Sequence, residues 1–494
     1  MKKEILFLLV IILHPAIIKG QNLVSKHDFR FETGFIVANN GYVPFGLRTN
    51  TNGLVPDSGP IIYQDVEIKR GNDSLYSMNG QLKKFSISYG LKTRFNVGQK
   101  KEVRIGEAYL GMRYGAFELY GGRRFEIQGI VDSSNSSGSY IWSGNALPLP
   151  RINIAITKYT PITKNGIISI KGNYAHGWFD NGVVIGSMLH QKSFYMRIGK
   201  KDWKTKFYGG FNHQVQWGGK PEKPYIDPPT GRLITTFSSG IDTYVNVVTG
   251  ISLNKNDAGV DLDGVPYNEA FNRAGNHLGT VDIGMEFFAK GSDILIYRQS
   301  IFEDGSLFYL NNITDGLYGV SWTNRRQNST LKKITVEHLD TRSQGGETGS
   351  GNTIPQLRGR DNYFNNSIYS NGWTYKGQVI GSPLLATISQ LNLDLISQVG
   401  ISSRLPRSYV ISNRISSWYM GVEYGCQILD FITRITHISS LGNYSVPMDV
   451  KNTSLYQGVR YGIREFTIKS DIGVDIGNLL RSKFGVQISI SRGI

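Results

Sequence analysis

Few side chains in this 494-residue sequence have types and spacing that suit catalysis. Phe302-Glu303-Asp304-Gly305 sets two carboxylates side by side, and Asp315 follows further along. Paired carboxylates can hydrolyse glycosides, one protonating the leaving oxygen while the other attacks the sugar or activates water. Adjacent strand residues point to opposite faces, so Glu303 and Asp304 flank one bond only if a turn brings them together. The Asp-Gly step places them at a strand end. Glu303, Asp304 and Asp315 therefore read as a structural polar cluster, and the chain is not expected to be an enzyme. His176, His190 and His213 fall in separate stretches without metal-ligand spacing, and Glu337-His338-Leu339-Asp340 lacks the zinc-helix pattern. No metal or cofactor is expected. No serine has the strand-to-helix setting of a nucleophile elbow. Cys426 is the only cysteine and reads as a small wall residue that cannot form an internal disulfide.

Recognition chemistry is better represented. Gly122-Arg123-Arg124 precedes a polar segment, and Trp142-Ser143-Gly144-Asn145-Ala146-Leu147-Pro148-Leu149-Pro150 follows it. Asp361-Asn362-Tyr363-Phe364-Asn365-Asn366 leads into Gly372-Trp373-Thr374-Tyr375. Sugars are bound by aromatic faces against C–H surfaces, with amides and charges on the hydroxyls. Arginine pairs bidentately with a carboxylate. Arg123 and Arg124 are thus candidate anion contacts. Trp142, Asn145, Asp361, Asn362, Tyr363, Asn365, Asn366 and Trp373 are candidates for a polar lumen or plug surface. A plainer reading competes: aromatics form an interfacial girdle, and Asn and Asp satisfy the backbone of an inward loop.

The elements that would position these residues alternate with period two. Ile468, Ile472 and Ile476 lie opposite Lys469, Asp471, Gly473 and Asp475, and Phe484, Val486, Ile488 and Ile490 lie opposite Gly485, Gln487, Ser489 and Ser491. Ile152, Ile154 and Ile156 likewise alternate with Asn153, Ala155 and Thr157. Several such stretches run ten residues or more, the length of a transmembrane strand, whereas strands of soluble sheets cluster near 5–6. The 58 glycines, 27 tyrosines and 23 phenylalanines suit a barrel with close strand contacts and aromatic girdles. Segments near 218–275 and 340–382 are too long for tight turns and are expected to lie outside the cell or to fold inward as plugs. Lys2 and Lys3, the apolar run from Ile5 toward Ile18, and Gly20 before Gln21 have the order of a secretory signal peptide. The expectation is a signal peptide over 1–20 and one all-β domain over 21–494, a transmembrane antiparallel barrel of the outer membrane whose long loops lie outside or fold into the lumen.

Lysine and arginine total 54 against 38 acidic residues, a formal charge of +16. In an exported protein this favours an acidic polysaccharide or the phosphates of outer-membrane lipopolysaccharide over nucleic acid. The same segments resemble the capsule-assembly Wzi family, in its Bacteroidetes-type members. The matching stretches run in order from Pro44-Phe45-Gly46-Leu47-Arg48-Thr49-Asn50 through Glu107-Ala108-Tyr109-Leu110, Gly122-Arg123-Arg124 and Ser143–Pro150. They continue through His213-Gln214-Val215-Gln216-Trp217-Gly218-Gly219, Phe302–Gly305, Asp315-Gly316-Leu317-Tyr318-Gly319, Arg360–Asn366, Gly372–Tyr375, Gly381-Ser382-Pro383 and Asn413-Arg414. The resemblance implies an outer-membrane barrel of about 18 strands with lectin-like binding of capsular or extracellular polysaccharide. The alternative is a substrate-specific porin for small anionic solutes.

Overall fold

The computed structural model describes residues 28–70, 85–99, 101–228, 231–251, 266, 273–303, 307, 310–326, 329–347, 360–401, 405–426 and 428–493. The expected signal peptide and Asp304 lie outside the described residues. Eighteen long strands form the wall. They are β1 Asp28–Ala38, β2 Ile61–Arg70, β3 Phe85–Gly98, β4 Lys101–Tyr114, β5 Phe117–Arg123 and β6 Arg151–Pro161. Next come β7 Ile168–Trp178, β8 Met188–Ile198, β9 Thr205–Trp217, β10 Asn276–Ala289, β11 Ser292–Phe302 and β12 Gly316–Asn324. The last six are β13 Leu331–Asp340, β14 Ile415–Gly425, β15 Leu429–Gly442, β16 Pro447–Ile463, β17 Phe466–Gly477 and β18 Phe484–Gly493. Each pairs antiparallel with its neighbours, and β18 returns to β1 with Arg30 opposite Gly493 and Ala38 opposite Gly485.

This closed sheet follows from the alternation in the sequence. Ile468, Ile472 and Ile476 are exposed on the outer surface, while Asp471, Gly473 and Asp475 between them are buried inside. Closure satisfies every strand on both sides, and an exposed apolar outer face suits hydrocarbon, not water. The protein is therefore an outer-membrane β-barrel. Both termini of the wall and the tight connections 115–116, 290–291 and 464–465 lie at one end. The inserts 124–150, 218–275 and 341–414 all leave from the other. Short turns face the periplasm and long loops the cell surface. The cysteine at 426 sits exposed in a periplasmic turn, not in the wall.

Two of the inserts fill the lumen. Residues 124–150 descend from the surface end until Asp132 meets Lys333 at 2.9 Å, only two residues from the periplasmic start of β13. Backbone N–H groups along this path donate to inward side chains of the wall: Ile130 to Asp282 at 2.8 Å, Ser137 to Glu337 at 2.6 Å, Tyr140 to Gln299 at 2.9 Å. The 341–414 insert pairs with the first through Ser143 N to Ile380 O (3.0 Å) and Ser382 N to Tyr140 O (2.8 Å). Together they build an apolar core inside the barrel from Tyr140, Ile141, Tyr363, Phe364, Trp373 and Leu385. The wall meets that core with Leu189, Leu278, Ile301, Leu317 and Leu339, inward positions near the surface end. Burying each large apolar side chain contributes about 1.5–3 kcal/mol relative to exposure, which keeps the plug seated.

A shorter connection adds to the filling. The single helical turn α1, Phe45–Arg48, also lies inside, where Asp475 accepts from the Phe45 N–H at 2.9 Å. A side chain at Gly473 would strike Pro44 and Leu47 at about 3.0 Å or less, so glycine is required there.

The third insert does the opposite. Helix α2, Ile241–Thr249, ended by Gly250 in the left-handed region, lies against the outside of the wall. Its Tyr244 and Val247 cover the outward-facing Val215 and Trp217. The expectation that 218–275 lies outside or plugs the lumen thus resolves toward the exterior for α2, while Ile234 and Phe237 pack on Val184 and on Tyr369 of the 341–414 insert.

The closing seam rests on Glu32 of β1. It accepts from Tyr63 of β2 (3.2 Å), Ser489 of β18 (3.0 Å) and Lys469 of β17 (2.9 Å), so one carboxylate joins four adjacent strands. Glu32→Ala leaves the Lys469 ammonium without its partner inside the lumen. The expected cost is about 3 kcal/mol, read as a lower urea midpoint of the folded, heat-modifiable band. An unchanged midpoint refutes the assignment.

Candidate functional site

Beneath the plug, toward the periplasmic end, lies a chamber of about 380 Å³. Its wall is the inward row of β2 to β8: Lys69, Arg113, Glu118, Asn153, Lys171, Asn173, Ser193 and Tyr195 contribute side chains. Its roof is Arg124 to Gln128 of the first insert. Period two puts Asn153 with Thr157 and Lys171 with Asn173 on the inner face, while Ile152, Ile154 and Tyr174 face lipid.

The charges in the chamber roof are arranged in alternation. Glu118 accepts from Arg113 (2.6 Å) and Arg124 (2.5 Å). Glu126 accepts from Arg124 (2.6 Å) and from Arg151. The Arg124 guanidinium also stacks 4.0 Å from the Tyr120 ring centroid. In this chain three arginines share two carboxylates, clamping the start of the plug to β5 and β6. Lys171 stands apart. Its ammonium lies 5.1 Å from the ring centroids of both Tyr159 and Tyr195 and makes no hydrogen bond among the described residues. Asn173 beside it donates to Asn153 at 3.1 Å. An ammonium steadied by two aromatic faces, beside amides and hydroxyls, can bind a hydroxylated anion. The periplasmic rim below carries Lys164, Lys200, Lys201, Lys204, Lys290 and Arg326, interrupted by Asp202.

Most residues singled out in the sequence lie elsewhere and hold the plug together. Trp142 is buried, with the Arg151 guanidinium 4.8 Å from its ring. Trp373 is buried against Phe179 at 6.1 Å between centroids. Asn145 donates to Val379 O at 2.9 Å. Tyr363 is fully buried and donates to Asp315 at 2.9 Å. Asn365 exchanges bonds with the Val410 backbone at 2.7 and 2.9 Å. Asn362 donates to Tyr409 at 2.9 Å, and Asn366 accepts from Ile368 and Tyr369 N–H groups. Arg123 donates to Tyr375 at 2.7 Å. Asp361 is half-buried beside Asn362. The rings of Trp142, Tyr363 and Trp373 therefore present no face to a polymer, because the core of the plug consumes them. Of the named residues only Arg124 lines the chamber.

The carboxylates serve the same clamp. Glu303 accepts from Phe364 N at 2.6 Å, and Asp315 accepts from Ser343 N (3.0 Å), Gln344 N (2.7 Å) and Tyr363. Burial pushes the Asp315 carboxyl up to about 6, against the pull of the Gln344 and Ser343 N–H groups. The histidines gather where spacing gave no hint. His213 and His277 share a 2.9 Å hydrogen bond on the outer face of the wall, and His176 and His190 lie within ring contact of Tyr244 under α2. No group of three or more potential ligands that could hold a metal occurs among the described residues. Lys171, Asn173 and Tyr195 escaped notice because a lone polar residue on an alternating strand looks like any inward residue. Their only signal was membership of the polar face.

Fold and chamber define a class: an 18-stranded outer-membrane barrel with an internal plug and a cationic chamber on its periplasmic side. No family profile and no curated protein sequence matches the chain. Among solved structures it is similar in outline to Pseudomonas aeruginosa OccK5 (OpdH), at TM-score 0.47 and 8% identity over 95% of this chain and 97% of that one. It is similar to Acinetobacter baumannii OccAB4 at TM-score 0.44 and 9% identity, over 95% and 97% of the two chains. For OmpT, an outer membrane protein of Vibrio cholerae, the values are 0.36 and 8%, over 95% and 98%.

The plug tip depends on Asp132, which accepts from Lys333 and from Ser321 at 2.6 Å. Burial alone would raise this carboxyl, but the Ser321 hydroxyl, the Lys333 ammonium and the Asn135 N–H outweigh it and hold it down to about 2. A depressed folded value means stability present above the ordinary carboxylate value near 4 and lost as pH falls toward 2. Hydrogen exchange over 128–140 is expected to accelerate across that window, with about 2 kcal/mol of protection lost. Asp132→Asn removes this pH step. A step that persists in the variant assigns it to another group.

Proposed function

We propose that this barrel binds an acidic saccharide polymer and holds it at the outer membrane, and does not act as a standing open pore. The plug is the observation that carries this reading. A barrel of 16–18 strands ordinarily leaves an aqueous channel, and here two inserts pack an apolar core into it. What remains is a chamber whose lining suits a hydroxylated anion: Lys171, which makes no close ion pair among the described residues, with Asn153, Asn173 and Ser193 nearby. The resemblance to the Wzi family supports the same reading, because Ser143–Pro150, Arg360–Asn366, Gly372–Tyr375 and Gly381–Pro383 are segments of this plug. Such a role requires no bond-making residue, and Glu303 and Asp315, two of the carboxylates that suggested hydrolysis, are engaged by backbone N–H groups.

One observation favours the second reading, a substrate-specific porin for small anionic solutes. The chamber lies against the wall, where the plug offers no carboxylate to Lys171. Planar-bilayer recording and polymer retention separate the two readings. The holding reading expects no stable channel, retention of uronate-bearing polysaccharide over a neutral glucan, and a fall of about tenfold in retention for Lys171→Ala. A steady anion-selective conductance, with no retention of polymer, supports the porin and defeats the first reading.

A further inference from the structure

We propose that the outer face of β9 to β14 is a binding site for a phosphorylated outer-leaflet glycolipid, the lipid A part of lipopolysaccharide. The strand register draws the site. Phe207, Met285, Ile296, Val320 and Val336 are cross-strand neighbours in turn, and they form an apolar row on the lipid-facing side. One pleat nearer the cell surface, the next row reads Ile283, Arg298, Tyr318, His338 and Trp418. A groove of about 950 Å³ lies over both rows. Acyl chains fit the first row, and a polar headgroup meets the second.

The second row is more than an aromatic girdle. Tyrosine and tryptophan are ordinary at a membrane interface, but a lipid-facing arginine is costly unless an anion meets it. Arg298 has no carboxylate partner among the described residues. Its guanidinium lies 4.9 Å from the Tyr318 ring centroid, one amino group donates to Ile313 O, and its Nε is buried without an acceptor. The His338 ring lies tilted against Trp418 at 4.4 Å between centroids, with Nδ1 at 3.0 Å from Ser417 O. Asp340, which also lines the groove, is held by Arg342 at 2.5 Å and lies 3.9 Å from the His338 Nε2. With no carboxylate of the described residues paired to Arg298, a lipid phosphate on this side of the wall supplies the anion in this proposal. The row stands on the surface side of the apolar floor, so the lipid belongs to the outer leaflet.

Native mass spectrometry of the full barrel, exchanged into detergent with added lipid A, tests this. The unaltered protein should retain phosphorylated lipid A, and dephosphorylated lipid A about tenfold less, the change expected for losing one charge-assisted hydrogen bond. Arg298→Ala should show a similar fall, Val320→Trp should block the groove, and Arg326→Ala on the periplasmic rim should change nothing. Heat-modifiable migration checks that each variant is folded. The dephosphorylated lipid needs no variant, so misfolding cannot hide the answer. Equal retention of the two lipid A forms, equal retention of phosphatidylglycerol, or no retention at all overturns the proposal.

Discussion

Hydrocarbon offers no hydrogen bond to a peptide group, so each wall strand must be paired along both edges. That single constraint accounts for the closure of β18 onto β1 and for the inverted polarity of the chain, with isoleucine and phenylalanine outside and carboxylates within. It also creates the next problem. Eighteen strands enclose more space than wall side chains can fill. In this protein the space is taken by the chain itself, and most features of the interior follow from the need to seat those inserts.

An irregular insert brings unpaired N–H and C=O groups into the lumen, and the wall supplies partners for them. Asp282, Gln299 and Glu337 accept from the first insert, and Glu303 and Asp315 from the second. Buried carboxylates that resemble catalytic equipment in one dimension are thus backbone acceptors in three. The wall changes character with height: leucine and isoleucine face the plug core near the cell surface, while charge and amide face the chamber below. The alternation of Arg113, Glu118, Arg124, Glu126 and Arg151 ties those two levels together. Lys171 lies outside that alternation, and its isolation gives the chamber its chemistry.

The outside of the barrel is also uneven. On one side α2 covers histidines and tryptophan that face away from the lumen, converting lipid-facing wall into a packed interface. On another, an arginine and a histidine interrupt the apolar surface just above a groove. Both departures from a uniform apolar belt occur toward the surface end, where lipid headgroups and water replace hydrocarbon.

Barrel, outer-membrane location and strand faces were legible from the sequence, because period-two alternation is a local property that any neighbour along the strand reveals. So was the existence of polar, aromatic inserts between strands. Their destinations were not. Trp142, Tyr363 and Trp373 have the composition of a sugar platform, yet they are buried in a core that no stretch of sequence displays, since its parts come from two inserts far apart in the chain, with Ser143 and Ile380 in contact across 237 positions. The insert around α2 is no less polar, and it went outside. The chamber was invisible for the same reason: Lys69, Arg113, Lys171 and Tyr195 become neighbours only when the sheet curls and the plug roofs them. The sequence by itself determined which face of each strand meets lipid, because that choice is settled residue by residue. Tertiary structure alone decided which inward residues meet a plug, a partner or open space, because that depends on where distant segments come to rest.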